Sequence, residues 1–316
     1  MKYTRYPFIA ESLVRQYRKS QGASKKLLAK SSFISDAINT YITEVAEYHN
    51  NDTYSLNEKE NDRHNVKNLL AEIAWSESSR KIIFIESLEL INELTSGVFT
   101  IPKPEVIKPF SECFIVHLPK PTEYLCEDVA SLLVNISEYN SSPNDKYIEV
   151  YSSDSNRAKF RCDTFYKWSL INEILSTNGY KEYKNKYSSE FSKIEYQVLR
   201  LVAGLIVYAS TSNEAIVPGF PEMGNIEERS LLAKSSVERY TLKRIHAGDN
   251  KTHKGEHYRS FHLRQLVDER YYQGQYSHLE PGSRIVTVKG AYIGGSVDPY
   301  RAVDKSASET SDAQQI

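Results

Sequence analysis

The stretch that decides the fold is residues 194–208, IEYQVLRLVAGLIVY. Its apolar side chains lie on nearly every side of a helix, and Arg200 is the only charged residue between Val198 and Ala209. A helix that is apolar all round is buried in a protein. We therefore predict that the rest of the chain covers this helix from more than one side, in one intertwined body.

The overall composition is typical of a folded, soluble chain. Of its 316 residues, 40% are hydrophobic and 26% are charged, and 40 Lys or Arg against 41 Asp or Glu leave a net charge of −1. Attraction to nucleic acid or to an anionic membrane would therefore need a local patch. No secretory signal and no apolar run of about 18 residues is visible. Three cysteines without a close pair (Cys113, Cys126 and Cys162) favour a cytoplasmic protein.

The N-terminal region is predicted to be mainly helical, because apolar residues recur at steps of three and four. The polar stretch 50–65 interrupts this pattern and predicts a loop. The predicted helices are 8–48, with Ser35 and Asp36 as a cap for its second part, 69–75, and 80–94, which Gly97 would end in a left-handed conformation.

The middle of the chain mixes strand and helix patterns. Alternating residues at 131–139 and 147–151, joined by turn residues at 141–145, predict a β-hairpin. A buried strand is predicted at 113–118. The other predicted elements are helices at 163–175 and 227–245, a loop at 178–190, strands at 284–288 and 291–293, and a disordered tail at 303–316.

Together these elements predict an α+β fold. We expect a helical N-terminal half, a small antiparallel sheet with packed helices, and a basic loop and edge strand at the C-terminus. The predicted regions are a helical N-terminal region (1–100), a central α+β region (101–247), a basic His/Arg/Tyr-rich segment (248–302) and the tail (303–316).

The C-terminal third concentrates the residues that suggest a function. Between 243 and 289 there are nine Lys or Arg and five Asp or Glu, a net charge of +4, and five of the eight histidines lie between 246 and 278. Arg, His and Tyr together contact phosphate and stack on bases, or hold a peptide carboxylate. A solvated loop before an edge strand has the same composition, so both readings stay open at this point.

Two catalytic alternatives have weaker support. His253, His257 and His262, with Asp249 and Glu256, could ligate a metal, but zinc sites usually add cysteine. His257 and His262 could act as acid and base in a metal-independent nuclease. The chain lacks the G-x-S-x-G, Walker and H-E-x-x-H motifs. We expect no metal and no cofactor, and a binding protein in preference to an enzyme.

Residues 257–264, HYRSFHLR, then Tyr272-Gln273-Gly274, then 284–288, RIVTV, resemble a known terminal signature. That signature has the form His-x-Arg-Arg-x-His-Trp-Arg, a spacer with glycine, and an Arg-led strand. The chain thus resembles a family carried by phages, plasmids and other mobile elements, which includes the larger type V-A anti-CRISPR protein, an inhibitor of Cas nuclease biogenesis. Weaker similarity extends over about residues 74–293. Leu263 replaces the family's Trp, and Ser260 replaces one Arg.

The resemblance implies anti-defence activity in the cytoplasm of a bacterial host cell. Its characterised member recognises the N-terminal part of its target during synthesis, and the message is then lost. The implied partner is a host defence protein or its nascent polypeptide with its mRNA, with RNA or the ribosome as further candidates, and no membrane. If the family's Trp stacks on a base or anchors a partner, Phe261 is the nearby replacement. The implied binding residues are His257, Arg259, His262, Arg264, Tyr272 and Arg284. The alternative is that these six residues only tie the C-terminal segment to the body.

Overall fold

This computed structural model contains both α-helices and β-strands in its described residues. The structure describes residues 2–3, 6–22, 31–49, 56–120, 129–138, 146–154, 160–177, 179–187, 191–211, 215–221, 237–244, 257–259, 262–288 and 291–293. Within these ranges the helices are α1 (Ile9–Ser20), α2 (Ser31–His49), α3 (Leu56–Glu77), α4 (Leu88–Ser96), α5 (Ile171–Leu175), α6 (Tyr180–Tyr187) and α7 (Lys193–Ala209). The strands are β1 (Lys2–Tyr3), β2 (Lys81–Ile85), β3 (Val98–Thr100), β4 (Cys113–His117), β5 (Pro119–Lys120), β6 (Val129–Glu138), β7 (Lys146–Asp154), β8 (Phe160–Lys167), β9 (Ile216–Pro218), β10 (Glu238–Leu242), β11 (His257–Arg259), β12 (His262–Leu266), β13 (Arg284–Val288) and β14 (Ala291–Ile293).

A seven-stranded sheet forms the centre of the fold, with the order β8-β7-β6-β4-β2-β10-β9. β2 runs parallel to both β4 and β10, and the other neighbours are antiparallel. The predicted hairpin is confirmed as β6 and β7. The α+β class is confirmed, but the sheet is larger than expected and mixed.

Helix α7 is buried as predicted, and every residue from Val198 to Tyr208 is inaccessible to solvent. Ser192 begins it with a capping box, in which Ser192 and Glu195 each bind the other's backbone N–H. α4, α5 and α7 contribute to the apolar core on one face of the large sheet. Aromatic residues from the N-terminus and α3, among them Tyr6 and Trp75, cover the other face.

The one buried charged side chain of α7, Arg200, binds the C-terminal ends of two other helices. Arg200 is 1% exposed, and its guanidinium donates to the carbonyl oxygens of Ile174 and Thr177 at 2.6 and 2.7 Å and to that of Gly97 at 2.6 Å. It also donates to the Tyr196 hydroxyl at 2.6 Å. Ile174 lies in the last turn of α5, and Thr177 and Gly97 follow α5 and α4, so the arginine binds carbonyls at the C-terminal ends of both helices, where helices leave acceptors unpaired.

A buried carboxylate fixes α1 to α3. Both oxygens of Glu72 accept backbone N–H groups, from Ile9 at 2.7 Å and from Ala10 at 2.8 Å, at the N-terminus of α1. One turn earlier, Asn68 accepts a hydrogen bond from the Tyr6 hydroxyl at 2.9 Å. Burial raises the pKa of Glu72 to about 8, although the two N–H groups act in the opposite direction.

Three predicted helices are wrong in part, because strands occupy their positions. Residues 80–94 contain β2 followed by α4, since the isoleucines at 82, 83 and 85 pair with neighbouring strands. Residues 163–175 begin inside β8, and only their end is the helix α5. The stretch 227–245 contains β10, and its earlier part lies outside the described residues.

Two predicted loops are wrong in the opposite sense. α3 begins at Leu56, and 178–190 contains α6, whose Tyr183 side chain is buried. Packing of a few aromatic residues is enough to keep this polar segment helical. Ser35 and Asp36 lie inside α2, and Gly97 is extended with φ −64°. The tail 303–316 lies outside the described residues. No helix in the described ranges is long and apolar enough to cross a membrane.

Candidate functional site

The residues that carry the family resemblance form two antiparallel strand pairs in separate sheets, which we together call the ribbon. β11 pairs with β14, and β12 pairs with β13, both antiparallel. The two pairings follow the same register: from His257 to His262 the chain advances five residues, and their partners, Ile293 and Val288, are also five residues apart. The matched pairs include His257 with Ile293, Arg259 with Ala291, His262 with Val288 and Leu266 with Arg284. The side chains of His257, Arg259 and His262 lie outside the described part of the structure.

The ribbon is joined to the body by the short strand β3. β12 runs parallel to β3, which places Leu263 opposite Phe99, and neither side chain is exposed to solvent. Leu263 therefore belongs to the core. Leu263 is thus a packing residue in this chain, and the replacement of a stacking or anchoring Trp by Phe261 stays a prediction. Phe261 lies outside the described residues.

Residues 267–283 connect β12 to β13, and we call them the hairpin loop. Tyr272 is 7% exposed, and its hydroxyl donates to the Leu266 carbonyl at 2.5 Å. The same hydroxyl accepts the backbone N–H groups of Gly282 at 2.8 Å and Arg284 at 3.1 Å. One phenol therefore ties together both ends of the loop.

A glutamine side chain holds the loop against the rest of the protein. Gln265 is 3% exposed, and its amide nitrogen donates to the carbonyls of Lys103 and Gly282, both at 2.7 Å. Its amide oxygen accepts the Lys103 N–H at 2.7 Å. Gly282 has φ +101°, a conformation that only glycine adopts easily. These bonds fix the point where the loop returns to the sheet.

Arg284 completes the internal support of the loop. Its guanidinium carbon lies 3.5 Å from the centre of the Tyr276 ring, and it donates to the Tyr271 carbonyl at 2.8 Å. This is a cation–π contact within the chain. Arg284 and Tyr272, both predicted as binding residues, are thus brought together at the base of the loop, where they hold its shape.

Two arginines remain on the surface of this region. Arg264 lies in β12 between Thr100 and Val286 of the flanking strands, and it is exposed. Arg270 lies in the loop, where it donates to the Tyr271 hydroxyl at 2.9 Å and faces Asp268 at 3.3 Å. The Tyr271 hydroxyl and Asp268 raise the pKa of Arg270, so this side chain stays cationic.

The charge of the hairpin loop differs from that of the segment around it. Within 267–283 there is one arginine, Arg270, against three acids, Asp268, Glu269 and Glu280, a net charge of −2. The excess of +4 over 243–289 therefore comes from residues on either side of the loop. Within the described ranges, no group of three or more His, Cys, Asp or Glu side chains could hold a metal.

Sequence reasoning predicted Arg264, Tyr272 and Arg284, and it missed Gln265 and the role of Tyr276. Tyr276 lies eight residues before Arg284, and the spacing of an arginine and a tyrosine in a loop carries no pattern of its own. The partner of Gln265 is Lys103, 162 residues away. No local signal marks such a contact.

Comparison with solved structures found similarity in fold. The chain is similar to the crystal structure of AcrVA2, with a TM-score of 0.42 and 11% sequence identity, over 90% of this chain and 94% of that chain. This is a distant structural relation to an anti-CRISPR protein. No family model matches the sequence, and no curated protein matches it.

Proposed function

We propose that this protein is an anti-defence protein of the anti-CRISPR-like kind, which binds a host defence protein or its nascent polypeptide. The sequence resemblance at 257–288 motivates the proposal. The binding surface is the hairpin loop together with Arg264. The arrangement of this loop is the observation that carries the proposal.

The hairpin loop is fixed from inside and exposed outside. Tyr272, Gln265 and Arg284 supply its internal bonds, so its outer residues are held in place before any partner arrives. A preorganised loop loses little conformational freedom on binding, which favours affinity. Val267, 38% exposed, adds apolar contact area beside the exposed Arg264.

Charge favours a protein over a nucleic acid at this surface. A loop with a net charge of −2 repels a phosphate backbone, which binds through clustered cations. Carboxylates of a polypeptide pair well with single arginines, since the guanidinium fork matches a carboxylate in geometry. Arg264 is the candidate anchor for such a group, and Arg270 is a second cation on the same surface.

The test is an affinity pulldown of the tagged protein from translating host cells, with and without RNase, followed by analysis of both protein and RNA. Arg264→Ala with Arg270→Ala removes the two exposed cations. Lys181→Ala with Lys184→Ala on α6 is the matched control, because both lysines are exposed and lie on another element.

We expect the wild-type protein to enrich one defence protein, or its nascent chain with its mRNA. The enrichment should be unchanged in the α6 control and at least tenfold lower in the arginine variant. A tenfold loss corresponds to about 1.4 kcal/mol of binding free energy. Enrichment of bulk RNA without any single protein would overturn the proposal. Equal enrichment by both variants would overturn the assignment of the surface.

A further inference from the structure

The beginning of the chain carries a strong and separate excess of positive charge. Residues 1–30 contain eight Lys or Arg and one acid, Glu11, a net charge of +7. Residues 31–96 contain five Lys or Arg and twelve Asp or Glu, a net charge of −7. A chain whose total charge is −1 is therefore strongly polarised along its first hundred residues.

The apolar side of α1 is already occupied. Ala10 and Val14 are each 2% exposed, and Ala10 packs with Leu69 of α3 in one apolar cluster that Leu13 also contacts. Glu72 holds the N-terminus of the helix in place. α1 thus has no free apolar side to insert into a lipid surface, as a membrane-binding amphipathic helix requires.

The outer side of α1 carries only polar and charged groups. Its exposed residues are Ser12, Arg15, Gln16, Lys19 and Ser20. The Arg15 side chain is 60% exposed and lies 3.7 Å from Glu11, whose own side chain is only 7% exposed. This single long contact engages one guanidinium nitrogen, so the other N–H groups of Arg15 face solvent and are available for a further acceptor.

We propose that this outer side of α1 binds the phosphate backbone of a nucleic acid without regard to base sequence. All its exposed side chains carry donors that phosphate oxygens accept, namely guanidinium, ammonium, amide and hydroxyl groups. A protein partner would need apolar side chains at the centre of the contact, and the outer side of α1 has none. The surface lies on a different element from the hairpin loop, so it adds a function to the one proposed above.

The test measures binding of a fluorescent 20-nucleotide single-stranded RNA by anisotropy as salt is raised from 50 to 200 mM. Arg15→Gln with Lys19→Gln removes two cations from α1, and Lys181→Gln with Lys184→Gln removes two from α6 as a matched control. Each phosphate contact contributes about −0.7 to the slope of log K against log salt, so the α1 variant should lose about 1.4 of that slope. Between 50 and 200 mM salt, the factor by which RNA affinity falls should therefore be about seven times larger for the wild type than for the α1 variant.

Single-stranded DNA of the same sequence should bind with similar affinity, because the contacts are to phosphate. Arg264→Ala should leave RNA affinity unchanged, which separates this surface from the proposed protein-binding site. Absence of RNA binding at 50 mM salt, or an equal slope loss in the α1 and α6 variants, would overturn the proposal. So would binding of poly-glutamate as tight as that of RNA, which would indicate an acidic protein partner.

Discussion

Replacing Arg200 with methionine tests the packing of the central helix most directly. The change keeps the length and apolar stem of the side chain and removes the guanidinium. The carbonyls of Thr177 and Gly97 then lose the hydrogen bonds that Arg200 supplies. The carbonyl of Ile174 keeps a second donor, the Thr177 hydroxyl at 3.0 Å. Thr177 is buried and Gly97 is half-buried, and an acceptor left without a partner costs about 1–3 kcal/mol, so we expect a loss of up to about 4 kcal/mol.

The assay is thermal unfolding followed by circular dichroism, with urea unfolding as a second measure. A loss of about 4 kcal/mol lowers the midpoint of a large domain by roughly 8–16 °C. Arg200→Lys should fall between wild type and Arg200→Met, because one ammonium can reach only part of the acceptors. Arg264→Met is the control, since the same chemical change at an exposed position should cost under about 0.5 kcal/mol. A loss under about 1 kcal/mol in Arg200→Met would refute the capping role. It would mean that removing the desolvation cost of the buried guanidinium offsets the lost hydrogen bonds.

Three further predictions concern other parts of the fold. Because burial raises the pKa of Glu72 to about 8 from an ordinary value of 4.5, stability should fall as pH rises between these values, and urea unfolding of Glu72→Gln should show a flatter pH profile. Tyr272→Phe removes three hydrogen bonds that hold the two ends of the hairpin loop together, so amide exchange in this loop should accelerate at least tenfold; unchanged exchange would contradict the role of the phenol. Gly204→Ala should cost about 1–3 kcal/mol in thermal unfolding, because a Cβ there would lie 3.0 Å from the Leu94 carbonyl oxygen and 3.1 Å from the Phe99 ring; a neutral result would mean that α4 and α7 separate easily.

The elements that sequence predicted well are those in which a single pattern dominates. α7 is apolar on all sides, and the β6–β7 hairpin has clear alternation around a turn. The stretch 80–94 failed because a strand and a helix follow one another without glycine or proline between them. The signal that separates them is Ser87, whose hydroxyl accepts the N–H of Leu90 and begins α4. The residue types also mark the change from strand to helix, because β-branched residues, which favour strands, come before this serine and leucines, which favour helices, come after it.

The candidate site stays a prediction from sequence, and the structure adds which of its residues support the loop and which are exposed. The arginines and tyrosines of 264–284 were recognised by type and resemblance. Their division into supporting and exposed residues depends on how the loop folds back, through bonds such as that of Gln265 to Lys103. Leu263 illustrates the limit, because neighbours in sequence do not reveal that its partner is Phe99 on a strand far earlier in the chain.

The short segment that contains β2 and β3 receives strands from the distant end of the chain. Lys81 pairs with Glu238, and Val98 pairs with His262, each about half of the chain away. Contacts of such long sequence separation slow folding, since the entropy of closing the connecting chain is lost before the contact forms. During synthesis, the large sheet cannot be completed until β10 (Glu238–Leu242) has left the ribosome, and the site cannot be completed until β13 (Arg284–Val288) has followed. An incomplete chain therefore exposes the edge of β2 to solvent, and prematurely terminated products should be prone to aggregation and proteolysis.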